Sequence, residues 1–131
     1  MLEVYIDGAS AGNPGPSGVG IFIKGEGHQL RLSKYVGIYD NHTTEFIALL
    51  RGLEEAQKLS KEFISVRSDS QVVVTAVEKR FVKSPVYTEW LDQALEIADT
   101  FDFFFIKWIP SKSNLTADQL ARQAIIRKKD S

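Results

Sequence analysis

The sequence predicts an α/β fold on a five-stranded mixed sheet, three antiparallel strands followed by two parallel ones, flanked by helices. Up to residue 39 the chain reads as apolar, β-rich segments broken by glycine. At Asn41 the apolar period lengthens to that of a helix, and beyond residue 61 strand-like and helical segments alternate. A chain of 131 residues is expected to fold as one domain around a single core.

Leu2, Val4 and Ile6 alternate and predict a first strand that ends at Asp7. The loop DGASAGNPGPSG (7–18) follows, with almost no apolar surface to bury and several glycines that cost backbone entropy on folding. GVGIFIKG (18–25) and HQLRLSKYVGIY (28–39) meet at Gly25-Glu26-Gly27, a short connection that suits a hairpin, so the first three strands form an antiparallel meander. Phe46, Leu49, Leu50 and Leu53 fall at i, i+3, i+4 and i+7 and predict a helix to about Leu59, with Asn41 as its N-cap. EFISVRS (62–68) is the fourth strand, and SQVVVTAVEKR starts a helix directly after Asp69. Ser84-Pro85 opens the next helix, with Tyr87, Trp90, Leu91 and Ala94 on one face. FDFFFIKW (101–108) is the fifth strand, stopped by Pro110. The last helix runs from about Asn114 with Ala117, Leu120, Ala121 and Ala124 as its buried stripe.

This layout has a chemical consequence. If the first strand points up, Asp7 lies at its top, and the meander returns the chain to the top at Asn41, with Glu45 expected in the first turn of the helix. A right-handed crossover makes the fourth strand parallel to the first and brings Asp69 to the same end. A second crossover over residues 70–100 places the loop 109–113 and Asp118 there too. Asp7, Glu45, Asp69 and Asp118 thus converge on the carboxyl edge of the sheet, where open α/β sheets gather ligands. Four carboxylates repel one another unless a cation neutralises them, and hard oxygen donors suit Mg²⁺ or Mn²⁺. Two such ions, about 3.5–4 Å apart, activate a water and stabilise a leaving oxygen in phosphodiester hydrolysis.

Composition narrows the field. Apolar residues make up 44% and charged residues 25%, the balance of a globular protein rather than a disordered one. The absence of cysteine excludes disulfides and thiolate metal sites, and with no basic flank or long apolar run at MLEVYI it leads to the expectation of a cytoplasmic protein. Apolar runs are far shorter than the ~20 residues that span a bilayer, so no membrane partner is expected. A net charge of −1 and a pI near 6.1 argue against binding nucleic acid through bulk electrostatics; contacts must be local, and EKRFVK (78–83) is the candidate patch.

The motifs are similar to those of the type 1 ribonuclease H family, in the same order and over essentially the whole chain. DGASAGNPGPSG (7–18) resembles its opening motif, NHTTE (41–45) its Asn with a Glu four residues on, SDSQ (68–71) its second acidic strand end, and NLTADQLA (114–121) its closing motif. The resemblance implies a ribonuclease H-like fold and endonucleolytic cleavage of the RNA strand of RNA/DNA hybrids by a monomer, with two Mg²⁺ or Mn²⁺ ions, leaving 5′-phosphate and 3′-hydroxyl ends. It implies that Asp7, Glu45, Asp69 and Asp118 are the catalytic metal ligands. Asn13, Asn41 and Gln71 would contact the minor groove of the hybrid, and the backbone from Gly8 to Ser10 would approach the ribose, whose 2′-hydroxyl distinguishes RNA from DNA.

Three departures qualify the match. The loop IPSKSN (109–114) lacks the His that many members carry before the last Asp, with Lys112 as the nearest substitute. The basic helical handle is absent, with EKRFVK in its place. Asp40 stands where a small or hydroxyl residue is expected beside a phosphate pocket. Fold alone does not decide function. A nucleic-acid-binding protein that keeps the acids with weak or no turnover is therefore the second reading, and an exonuclease or recombinase-type nuclease on the same fold is the third.

Overall fold

The computed structural model describes residues 1–130, with side chains through Lys128. Strands β1 (Leu2–Ser10), β2 (Gly15–Gly25) and β3 (His28–Tyr39) lead into α1 (Asn41–Leu59). Then come β4 (Phe63–Ser68), α2 (Gln71–Lys79), α3 (Pro85–Ala98), β5 (Phe103–Trp108), a 3-10 turn (Ser111–Ser113) and α4 (Leu115–Asp130). The strand order is β3-β2-β1-β4-β5, antiparallel between β1, β2 and β3, and parallel from β1 to β4 and from β4 to β5. The expected mixed sheet, including the parallel fifth strand, is therefore the one that forms.

The alternation of β1 decides the two faces. Leu2, Val4 and Ile6 point to one side with Ile21, Ile23, Ile64 and Val66, all buried, and α1 seals them with Phe46, Leu49 and Leu53. Burying a side chain of this size contributes about 1.5–3 kcal/mol, so this layer is the main source of stability. On the opposite face α4 crosses β1, β2 and β3, held by Ser33 Oγ donating to the Leu120 carbonyl at 2.5 Å. The approach is close: a Cβ built on Gly20 of β2 would lie 2.0 Å from the Ala117 carbonyl oxygen of α4.

Several boundaries move, each for a local reason. β2 begins at Gly15 rather than residue 18, because Gly15, Pro16 and Ser17 pair with Tyr39, Ile38 and Gly37 across a bulge. The N-cap of α1 is Asp40, not Asn41: its carboxylate accepts from the Thr43 N–H and Oγ1, both at 2.7 Å. Glu45 consequently lies just beyond the first turn. Ser70, not Asp69, caps α2 by accepting from the Val73 N–H. In α3 the fully buried face is Leu91, Ala94, Leu95 and Ala98, with Tyr87 and Trp90 half-buried at its rim. In α4, Ile125 joins Ala117, Ala121 and Ala124 in the buried stripe while Leu120 is only half-buried. No helix among the described residues is long and apolar enough to cross a membrane.

Candidate active site at the carboxyl edge of the sheet

Asp7 lies in β1, the middle strand, and is 8% exposed. Burial, the charge of Asp69 and a carboxyl contact with Asp118 push its pKa up to about 8, against the single Gly8 N–H that its Oδ1 accepts at 3.0 Å. Three acids from β1, the β4–α2 junction and α4 therefore act on one another. Glu45, reaching over from α1, is also raised by burial; hydrogen bonds from Ser70 and His42 oppose this, and the charge of Asp69 adds to it. Asp7, Asp69 and Asp118, with Gly8, Ser10 and Arg122, line a cavity of about 590 Å³.

Asp69, Glu45 and Asp118 are each held by a neighbour that is not among the candidate site residues. Asn114, 2% exposed, donates from Nδ2 to the Ile6 carbonyl at 2.9 Å and lies 3.5 Å from Asp69 Oδ2, so one amide ties β1, Asp69 and the start of α4 together. Trp108 Nε1 donates to the Asp69 carbonyl at 3.1 Å. Ser70 Oγ donates to Glu45 Oε2 at 2.6 Å while capping α2. Arg122, one turn beyond Asp118, donates to its Oδ1 at 3.0 Å. The signals available were the Asn at a helix start and the i,i+4 Asp-Arg pair, both common in ordinary helices.

The remaining site candidates divide. Gly8 abuts α1, where a Cβ would come within 2.8 Å of the Thr44 carbonyl group, so the main chain of β1 lies tight against the helix that carries Glu45. The Ser10 hydroxyl is engaged with Ser17 at 2.8 Å and Thr44 at 3.0 Å. Asn13 and Asn41 come together, Asn13 Oδ1 accepting the Asn41 N–H at 2.9 Å, and both side chains are exposed at the edge. Gln71 is exposed at the first position of α2 and borders a shallow groove with Lys79 and Lys83. Lys112 does not line the acidic cavity; Ser111 does, while Lys112 borders a separate cavity with Tyr5, Phe22 and Lys24. Asp40, expected to repel phosphate, is occupied: burial raises its pKa, but the two Thr43 hydrogen bonds prevail and hold it below the ordinary carboxylate value. In the basic patch Arg80 is consumed by a bidentate pair with Asp99, at 2.7 and 3.1 Å.

The donor chemistry fits hard divalent cations. All four acids offer oxygen, and the burial and neighbouring carboxylates that raise the pKa of Asp7 disfavour its bare charge, which a cation would relieve. Among the described residues no three acidic or imidazole side chains close into a single cage of metal-ligand spacing; Glu45 is turned to Ser70 and Asp118 to Arg122.

A family model described as "Reverse transcriptase-like" matches residues 6–124. The "Putative hydrolase EbsB" of Enterococcus faecalis is 35% identical over 127 residues, covering 95% of this chain and 94% of that protein. Mycobacterial relatives at 34% identity are longer, and the chain spans 35% of their length. The crystal structure of RNase H1 from Halobacterium salinarum NRC-1 superposes with a TM-score of 0.90 at 32% identity, over 96% of this chain and 98% of that one. LC11-RNase H1, solved in complex with RNA/DNA hybrid, gives a TM-score of 0.89 at 32% identity over 98% and 99% of the two chains.

Proposed function

The chain belongs to the type 1 ribonuclease H family, and from that premise we propose that it hydrolyses the RNA strand of RNA/DNA hybrids internally, in the presence of Mg²⁺ or Mn²⁺, leaving 5′-phosphate and 3′-hydroxyl ends. The observation that supports this reading best is the meeting of Asp7, Asp69 and Asp118 beside Glu45 at the carboxyl edge of the sheet. The four acids would hold two ions. The chemistry such ions supply when bound is activation of a water and neutralisation of charge on the leaving oxygen.

The protein's own groups do the positioning. Asn114 fixes Asp69 relative to β1, Ser70 orients Glu45, and Arg122 steadies Asp118 at the rim. Asn13, whose Oδ1 accepts the Asn41 backbone N–H, and the exposed Asn41 would contact the minor groove, and Gly8 to Ser10 offer a small-residue wall for the ribose backbone. Ser111 is the residue of the 109–113 loop that lines the acidic cavity while Lys112 borders another, so the loop offers no basic side chain in place of the absent His, and we expect turnover to be slower than in relatives that carry one.

The test is cleavage of an end-labelled hybrid with Mg²⁺, Mn²⁺ or EDTA, beside Asp7→Asn, single-stranded RNA and duplex DNA. Internal cuts confined to the hybrid's RNA strand, dependent on metal and absent from the variant, are expected. Cleavage that survives Asp7→Asn refutes the assignment of the acids. Hybrid binding without cleavage in either metal establishes the binding protein instead.

A further inference from the structure

Half of one sheet face has no helix over it. α4 lies across the upper parts of β1, β2 and β3, while α1, α2 and α3 pack on the opposite side. The strand register brings a row of residues across the open half, Arg31, Phe22, Tyr5, Arg67 and Lys107, one from each strand in sheet order. Below it, on the edge strand β5, Phe103 and Phe105 are 61% and 54% exposed, and Phe63 lies 6.0 and 5.4 Å from their ring centroids. Folding does not account for two phenylalanines left in water on an outer strand, where they are an aggregation hazard.

The charge of this face is one-sided. Glu3 is the one carboxylate among its residues, and Glu3 is paired with Arg67. Lys24 stands opposite Glu3 in the β1–β2 register and its charge also acts on that carboxylate, so one acid faces four cations, Lys24, Arg31, Arg67 and Lys107, and Lys112 borders the face through a cavity of about 220 Å³ shared with Tyr5, Phe22 and Lys24. This concentration of cations occurs in a chain whose formal net charge is −1. Exposed aromatic rings among lysines and arginines are the two components of a single-strand platform: bases stack on the rings and the cations meet the phosphates. A duplex hides its base faces, so the aromatic half of the surface selects for unpaired nucleotides. A second copy of the chain docking here would set like charges against one another.

We infer that the open half of the sheet, with Phe63, Phe103 and Phe105 as stacking rings and Lys24, Arg31, Lys107 and Lys112 as phosphate contacts, is a second nucleic-acid site that binds single strands. It lies below the acidic edge on strands shared with it, β1 and β4, so a single-stranded overhang of a substrate can run from one to the other.

The experiment is fluorescence anisotropy with a fluorescein-labelled twelve-nucleotide oligothymidine, and the matching oligouridine, in EDTA at low salt, where no cleavage occurs. Binding is expected, weakened at least tenfold by the Phe103→Ala/Phe105→Ala double variant, with cleavage of a blunt hybrid unchanged. Lys107→Glu, which leaves the rings in place, is expected to weaken binding as well and to flatten its salt dependence. No binding by the wild-type protein, or equal binding by all variants, overturns the inference. So does a wild-type dimer that Phe103→Ala/Phe105→Ala converts to monomers, which would make the face a contact between copies. Because the readout is binding without metal, it stands or falls separately from hybrid cleavage.

Discussion

The contact between Gly20 and α4 makes the site sensitive to a single methyl group. Gly20 pairs with Asp7 across the β1–β2 ladder, and a Cβ there would lie 2.0 Å from the Ala117 oxygen, 2.6 Å from the Ala121 nitrogen and 2.8 Å from the Leu120 Cβ. Ordinary contact begins at 3.4 Å, so in Gly20→Ala the helix must withdraw by about 1.4 Å. Two of the three obstructing atoms are backbone, which no side-chain rotation relieves. Overpacking of this kind costs about 1–3 kcal/mol. The larger effect falls on function, because Asp118 follows Ala117 directly and moves away from Asp7 with it, and a misplacement of about 1 Å lowers catalytic rates on the order of 100-fold. Urea denaturation should show the loss of stability, and hybrid cleavage by the still-folded variant should drop on that order. A variant with an unchanged unfolding midpoint and cleavage within about twofold of wild type refutes the reasoning.

Asp7 carries a pH signature. Its pKa is higher folded than unfolded, so in EDTA it subtracts stability increasingly as pH rises from about 4 towards about 8. Each pKa unit is worth about 1.4 kcal/mol, so half of that rise already weighs on the order of 3 kcal/mol. Asp7→Asn should therefore be more stable than wild type at pH 8 in EDTA, and added Mg²⁺ should close the gap by stabilising only the wild type. Asp40 has the opposite sign: its folded pKa is depressed, so its cap is fully present above the unfolded value near 3.8 and lost as pH falls through the folded one. Asp40→Ala should cost about 1–2 kcal/mol in urea denaturation at pH 7, and the difference from wild type should shrink as pH falls below the unfolded value. Asn114→Ala leaves the Ile6 carbonyl without its donor and Asp69 without its tie, and should lower stability by about 1–3 kcal/mol with a clear fall in kcat at saturating hybrid.

The convergence of the four acids is legible in the sequence because it depends on topology alone: where a strand ends and where a helix starts follows from period and from turn residues. The partners that hold them are not. Asn114 reads as a helix start, and only the folded chain shows its amide reaching the Ile6 carbonyl, 108 positions back. Asp40 reads as a charge beside a phosphate site, because Asn41 is as good a cap by type and only the backbone decides which residue precedes the first turn. The place of Lys112 in a loop before Asp118 puts it near the acids, whereas in the 3-10 turn over Ser111–Ser113 it is Ser111 that lines their cavity and Lys112 that borders the one with Tyr5, Phe22 and Lys24. The sequence predicts a loop over residues 7–18, but β1 continues to Ser10 and β2 resumes at Gly15. Pairing with Tyr39 and a hydroxyl network at Ser10 and Ser17 supply order that single-residue preferences do not encode.

The central position of β1 also bears on biosynthesis. β1 is made before the β4 and α4 that must later find it, and Asp7 meets Asp118 only after more than a hundred further residues have been made. A nascent chain that has folded its meander and first helix still lacks Asn114, Asp118 and the helix that supports them. The full set of acids is therefore assembled only once α4 has docked on the sheet.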